Sequence, residues 1–544
     1  MDKLIHTPEG VRDISPSEFA RKIEIENKLL SMMKESGYLH MQTPSFEYFD
    51  VFANNIGLTP SKELYKFYDK EGNTLVLRPD FTPAMARAYS KLYFNSDDTV
   101  RLCYSGNTFV NSSDLDGRLK ESTQIGAELY NEDSCVADAD MILLVINCMK
   151  TVGFRDFVVS IGNGNFFKGL CDELGILDED EQTLRELISA RSFYKAKEKL
   201  TSLSIDEKYT DLIVNLSDDY TDKASLFKLR EKVNNSLCID AIDRIISIIE
   251  ILEKKGTAKH ISIDLGLLNK YNYYTGVLFR AYTLGFGDAV MKGGRYDNLV
   301  KEFGKDVPAI GFGISVDELL IALSNQESGN TACDGYLTFA LTKGRLADKT
   351  MALLEKCGIT CEEMKDKDTR KLIFVNEELK LRFFLAKGPD VPIYVEHGAA
   401  DIGVVGKDTI DEEARKILEV LDLGFGKCRM CVCGHSSATA KLQTRNMIRI
   451  ATKYPRIAKT YFNDIKHQSV DIIKLNGSIE LAPIIGLSDC IVDIVETGST
   501  LRENGLEVLE EICDLSARMV VNPVSMRLYS KKINEIIYRV KEAL

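Results

Sequence analysis

The chain has 544 residues, which at roughly 150 residues per domain leaves room for three or four domains. Its 44% hydrophobic and 28% charged content excludes wholesale disorder, and a formal charge of −13 argues against gripping long nucleic acid while leaving room for local basic clusters. No apolar run approaches the ~18 residues of a membrane span, Met1 to Pro8 has no apolar signal core, and thirteen scattered cysteines read as reduced thiols, so a cytoplasmic protein is expected.

Ser15-Pro16-Ser17-Glu18 combines a capping box with proline at the first helical position. Phe19, Ile23, Leu30 and Met33 then fall near one helical face, and Gly37 suits the end. Leu75 to Leu77, Val100 to Tyr104 and Phe157 to Ile161 read as strands. Residues 171–257 are rich in Glu, Lys, Leu and Ile and read as an inserted helical subdomain. Strand patterns resume at His260 to Leu265 and continue to about Gly313. Residues 324–335 are polar at their start and read as a linker.

Beyond the linker the texture becomes strand, loop, helix, which implies an α/β unit. Tyr336 to Leu341 leads into Thr342-Lys343-Gly344-Arg345 and a helix to Lys356, and Asp401 to Val405 leads into another helix. Two cations around a glycine suit a phosphate chain; a solvated loop is the alternative. Cys428 to Cys433 carries three thiols with His435 nearby, but no second pair sits at ligand spacing. They read as small hydrophobes in a strand, with metal ligation as the alternative.

The strongest site signal is the apolar run Cys490 to Val495, followed by Glu496-Thr497-Gly498-Ser499-Thr500 and Leu501 to Gly505. A strand entering a loop of hydroxyls and glycine, then a short helix, offers a phosphate cradle. Thr500 and Glu503 have capping-box spacing. Asp493 stands where a carboxylate can accept hydrogen bonds from ribose hydroxyls. An ordinary strand-helix turn is the alternative.

The segment from Tyr336 to Leu544 resembles short-form ATP phosphoribosyltransferase. The carriers are Ala340 to Arg345, Asp390 to Gly406, Leu423 to Arg429, Ile450 to Pro455, Lys474 to Pro483 and the 493–505 loop, in family order. The resemblance implies two periplasmic-binding-protein-like lobes: lobe I about 336–427 plus 510–544, and lobe II about 428–509. It implies that N1 of ATP displaces pyrophosphate from C1 of phosphoribosyl pyrophosphate, the first step of histidine biosynthesis. Lys343, Arg345 and Asp493 are the implied catalytic residues. Asp493, Glu496, Thr497, Gly498, Ser499, Thr500 and Glu480 would hold phosphoribosyl pyrophosphate. Lys343, Arg345, Arg370 and Lys387 would meet ATP. Lys387 stands where many members carry arginine, and Thr342 where proline is usual. Mg²⁺ would be held mainly by substrate phosphates, with no dedicated protein site. The long form's C-terminal regulatory domain has no counterpart here.

Residues 1–323 resemble the catalytic core of histidyl-tRNA synthetase, a class II fold on an antiparallel sheet. The carriers are Thr7 to Asp13, Pro44, Leu77 to Thr82, Gly117-Arg118 through Glu128, Tyr273 to Gly276, and Gly293 to Asp297. Three arginines of the synthetase pattern are missing: Val110, Asn269 and Glu318 stand in their places, so adenylate chemistry is expected to be lost. What persists is the amino-acid pocket: Asp80, Thr82, Gln124, Glu128, Tyr273 and Tyr274 are the implied histidine-effector residues. No anticodon-binding module separates this half from the transferase. The pattern resembles the regulatory subunit of short-form ATP phosphoribosyltransferase, fused to its catalytic partner.

The expected partners are therefore ATP, phosphoribosyl pyrophosphate and L-histidine, without nucleic acid or membrane. The separate-chain family forms hetero-octamers, which implies a homo-oligomer here, a tetramer. The rival readings are an enzyme that also aminoacylates tRNA, a binding protein without turnover, and an N-terminal half that is only an assembly scaffold.

Overall fold

A computed structural model describes residues 5–53, 59–112, 119–190, 192–216, 220–268, 274–328, 335–365, 370–443 and 447–544. The chain divides into two compact units, Met1–Thr331 and Ala332–Leu544.

The first unit is built on an eight-stranded sheet. Its middle is an antiparallel run of Val100–Phe109, Glu121–Tyr130, Ala309–Ser315, Met291–Arg295, Val277–Thr283 and Phe157–Asn163. Among the described residues of this sheet, only the edge strands Leu39–His40 and Ile261–Ile263 pair in parallel. Side chains alternate between faces along each strand. Ile125, Ala127 and Leu129 enter the main core with helices Pro16–Glu35, Cys135–Val152 and Val316–Glu327. Tyr104 and Tyr130 instead join Phe81, Met85 and Tyr89 around helix Thr82–Leu92 on the other face.

The first helix is capped by Ser15, whose Oγ accepts the Glu18 amide at 3.4 Å. Its buried face differs from the expected one. Lys22, Ile25, Leu29 and Met33 are buried, whereas Phe19 and Ile23 are exposed. Lys22 is inside because Asp317 meets its ammonium at 3.1 Å. The helical insert begins at Gly164 rather than 171, because Asn163 caps helix Gly164–Leu174 by accepting the Asn165 amide. Among the described residues five more helices follow, to Ser236–Lys254, around their own core of Phe166, Leu184, Leu200, Ile213 and Ile245. Helix Val316–Glu327 runs through the start of the expected linker, since Ser315 caps it. Residues 329–334 lie outside the described residues.

The second unit holds two sheets. One has six strands, with Leu337–Thr342, Leu381–Ala386 and Ile402–Gly406 parallel at its centre. The other has five, with Ile448–Thr452, Val470–Lys474 and Cys490–Val495 parallel. Strand Glu507–Leu515 pairs with Cys428–Gly434 in the five-stranded sheet. Residues 510–515 therefore belong to the second layer, not the first as the sequence reading had it, and Ala517–Val521 crosses back to the six-stranded sheet. Cys431 and Cys433 are buried in strand Cys428–Gly434.

Candidate functional site

In parallel α/β sheets the carboxyl ends of the strands carry the loops that meet ligands. In the six-stranded sheet Thr342 and Ala386 end adjacent strands in register, so Lys343 and Lys387 leave the sheet side by side. Strand Ile373–Asn376 runs antiparallel with Ile373 opposite Phe384, which brings the preceding Arg370 toward the same edge. Arg345 opens helix Arg345–Lys356 behind Gly344, whose φ of 92° favours glycine. All four cations are exposed. Among the described residues, Lys343 and Arg345 have no side-chain hydrogen bond.

The five-stranded sheet supplies the complementary edge. Strand Cys490–Val495 leads through Glu496 and Thr497 to Gly498, which takes the N-cap position at φ 70°. The expected Thr500–Glu503 capping box does not form, because helix Ser499–Glu503 already contains both residues. Instead Thr497 Oγ1 lies 3.1 Å from Ser499 Oγ, and Arg502 holds the loop by donating to the Thr497 and Gly498 carbonyls at 3.1 and 3.3 Å. The loop is thus braced from behind while Thr497, Ser499 and Thr500 stay exposed.

Asp493 sits two residues before Val495, half-buried. Burial raises its carboxyl pKa; the Ile494 amide opposes this, nearby Glu480 adds to it, and Lys453 opposes it. Glu480 and Lys453 thus lie within electrostatic reach of Asp493. No role was read for Lys453 from sequence. Its signal was positional: it directly follows strand Ile448–Thr452, as Lys343 follows Leu337–Thr342.

A second constellation lies on the pocket face of the first unit. Gln124 and Glu128 are four apart on strand Glu121–Tyr130, so both point to one face. The Gln124 side chain lies near enough to Asp80 to oppose the burial that raises its carboxyl pKa. Thr82 Oγ1 donates to Glu128 at 3.0 Å, and the Tyr296 hydroxyl donates to the other carboxylate oxygen. Glycines make the space: a Cβ on Gly311 would sit 1.6 Å from Glu128 Oε2, one on Gly313 2.1 Å from Gln124 Nε2, and one on Gly294 2.7 Å from Tyr274. Burial raises Glu128 to about 8, the Tyr296 bond opposes this, and Asp80 adds to it. Asp80 is also raised, mainly by burial. Tyr296 joins this cluster through Glu128 and was missed by sequence reasoning; it lies inside the quoted Gly293 to Asp297 stretch.

Tyr273, Asn269, Gly117 and Arg118 lie outside the described residues. Val110 directly follows strand Val100–Phe109, its amide bonded to the Lys120 carbonyl. Glu318 sits in the first turn of helix Val316–Glu327, its amide capped by Ser315.

Two family models match different parts of the chain. The family model described as histidyl-tRNA synthetase matches residues 10–319, and that described as ATP phosphoribosyltransferase matches residues 387–542. An ATP phosphoribosyltransferase of Lachnospira eligens is 69% identical over 207 residues, 38% of this chain and 96% of that protein. An ATP phosphoribosyltransferase regulatory subunit of Clostridium botulinum is 31% identical over 413 residues, 75% of this chain and 97% of that protein. The crystal structure of an ATP phosphoribosyltransferase regulatory subunit/histidyl-tRNA synthetase from Bacillus halodurans superposes with a TM-score of 0.56 at 24% identity, covering 71% of this chain and 99% of that one, and shows a shared fold.

Proposed function

We propose that in this chain, which belongs to the ATP phosphoribosyltransferase family and joins the transferase to a histidyl-tRNA-synthetase-like regulatory half, the N-terminal regulatory half senses histidine for the C-terminal transferase. The transferase makes phosphoribosyl-ATP and pyrophosphate from ATP and phosphoribosyl pyrophosphate. The observation that carries the site assignment is the braced loop from Glu496 to Thr500, with its exposed hydroxyls and Asp493 behind it.

In this reading the loop holds the 5′-phosphate through backbone amides and hydroxyls. Asp493 and Glu480 accept the ribose hydroxyls. Lys343, Arg345, Arg370 and Lys387 meet the triphosphate and the leaving pyrophosphate, and Lys453 adds a cation beside Asp493. The chemistry asks mainly for orientation and charge stabilisation, which preorganised groups supply. The hard oxygen donors of Asp493 and Glu480 suit Mg²⁺, which takes few protein ligands when phosphates supply the rest. A Mg²⁺ ion held there, with the substrate phosphates, would supply positive charge against the departing pyrophosphate. The two α/β layers are read as periplasmic-binding-protein-like lobes.

In the N-terminal half, Asp80 and Thr82 face the histidine ammonium and Glu128 faces the imidazole, with Tyr274 close by. Val110, Asn269 and Glu318 supply no cation at the three positions where a synthetase steadies ATP, which disfavours adenylate chemistry. Fusion fixes a one-to-one ratio and a high effective concentration of regulator at catalyst. A homotetramer in the cytoplasm is the matching assembly.

The test is a steady-state assay of the full chain with ATP, phosphoribosyl pyrophosphate and Mg²⁺, with and without histidine. Turnover suppressed roughly 5–150-fold in substrate affinity by histidine is expected for a typical coupling. Turnover indifferent to histidine leaves the transferase and removes the sensor. Histidine-dependent ATP–pyrophosphate exchange would instead restore a synthetase.

A further inference from the structure

The two sheets of the second unit are joined at their carboxyl edges by side chains that none of the substrate assignments uses. Asp408 lies just past strand Ile402–Gly406, in helix Lys407–Glu413. Tyr454 lies just past strand Ile448–Thr452 of the other sheet. The Tyr454 hydroxyl donates to Asp408 Oδ2 at 3.2 Å. One turn along the same helix, Glu412 accepts the Arg456 amide at 3.1 and 3.0 Å and the Ile457 amide at 3.1 Å. These are the opening amides of helix Pro455–Lys459, which lack partners within the helix itself.

Both ends of this bridge are held in place. A Cβ on Gly406 would come within 2.2 Å of Asp408 Oδ1, so the carboxylate lies directly against the backbone where the strand ends. Thr409 Oγ1 donates to Asp408 Oδ2 at 3.3 Å. Tyr454 is 6% exposed, and its amide donates to Thr452 Oγ1 at 2.8 Å. Thr452 in turn donates to the Val492 carbonyl at 2.6 Å, next to Asp493. On the other side, a Cβ on Gly388 would lie 3.7 Å from Thr342 Cγ2 and 3.8 Å from Thr409 Oγ1, so the bridge neighbours the Lys343 and Lys387 loops. A short covalent and hydrogen-bonded route thus connects the two groups of candidate substrate residues through one phenol–carboxylate contact.

Resting on the phosphoribosyl-transfer reading, we propose that Tyr454, Asp408 and Glu412 are positioning residues that fix the distance and angle between the two half-sites. Each half-site can bind its substrate within its own sheet, but the attack of one substrate on the other needs both sheets in register. Misplacing reacting groups by about 1 Å costs on the order of a hundredfold in rate. The bridge should therefore act on kcat and leave separate binding alone.

The experiment compares full-length Tyr454→Phe, Asp408→Ala, Asp408→Asn and the double variant Tyr454→Phe/Asp408→Ala. The readouts are kcat, KM, phosphoribosyl pyrophosphate affinity by calorimetry, and melting temperature. Tyr454→Phe and Asp408→Ala should each lose roughly ten- to a hundredfold in kcat. Calorimetric affinity should stay at the wild-type value. The double variant should lose no more than either single change, because both delete one interaction. Asp408→Asn, which still accepts the phenol hydrogen bond, should keep most of the activity. Wild-type kcat in Tyr454→Phe, or losses that multiply in the double variant, would overturn the proposal. A wild-type chain that makes no phosphoribosyl-ATP would overturn the functional reading, and the positioning role with it. Hydrogen exchange at the Arg456 and Ile457 amides then still reports whether the bridge exists, as protection that Glu412→Ala removes.

Discussion

Glu128 carries the most consequential single-residue environment in the molecule. It is fully buried, hydrogen-bonded by Thr82 and Tyr296, and shares its pocket with Asp80. An exposed glutamate releases its proton near 4.5, whereas this one holds it to about 8. Between those values the folded chain keeps a proton that the unfolded chain has lost. Stability therefore falls as pH rises from about 4.5 and levels off above about 8, a full swing on the order of 5 kcal/mol. Glu128→Gln cannot ionise, so its melting temperature should gain on the wild type between about pH 5 and pH 8 and hold that lead above it. Parallel melting curves across that range would refute the assignment. At the other site, Gly498 stands at φ 70°. An alanine there meets only Val495 at 3.6 Å, so strain rather than clash decides the outcome. Left-handed backbone costs a non-glycine residue about 1–2 kcal/mol. Gly498→Ala should raise the KM for phosphoribosyl pyrophosphate roughly tenfold, since 1.4 kcal/mol is a factor of ten, while barely changing the KM for ATP.

Elements in the first unit are tied by charges as well as by apolar packing. Asp317, at the start of helix Val316–Glu327, accepts from Lys22 of the first helix and from the Thr123 amide of the central sheet at 2.7 Å. Both partners of the ion pair are under 10% exposed. Removing one member of a buried pair strands the other, at about 3–5 kcal/mol. Asp317→Ala should therefore destabilise the N-terminal unit by that amount in denaturant melts, and Asp317→Asn by less, because it still accepts from Thr123. The same residue shows where element-level reading stops. The first helix was legible from Ser15, Pro16 and Gly37, because caps are local chemistry. Its buried face was not, because Lys22 is inside only through a partner 295 residues away. Gln124 and Glu128 were legible as a pair because an even spacing on any strand shares a face. Thr500 and Glu503 had capping spacing, yet Gly498 took the cap position first, and one competing local conformation was enough to displace the pattern.

For the whole molecule, one chain carries a transferase and a synthetase-like regulator, each with its own cores. Among the described residues no helix is long and apolar enough to cross a membrane. If the regulator supports as well as restrains catalysis, residues 336–544 expressed alone should be poorly active and unmoved by histidine, while the full chain responds. Full activity of that fragment would remove the supporting role and leave only inhibition. The order of motifs along each half, the loss of cations at Val110 and Glu318, and the loop after Asp493 were all decided by the sequence itself. They are runs of neighbouring residues whose chemistry needs no distant partner. The gathering of Lys453 with Asp493 and Glu480, the glycine-made room around Glu128, and the Tyr454–Asp408 bridge were decided only by the tertiary structure. Each joins residues from separate elements, and strand order and sheet-to-sheet docking arise from burial of whole faces, which no local pattern encodes.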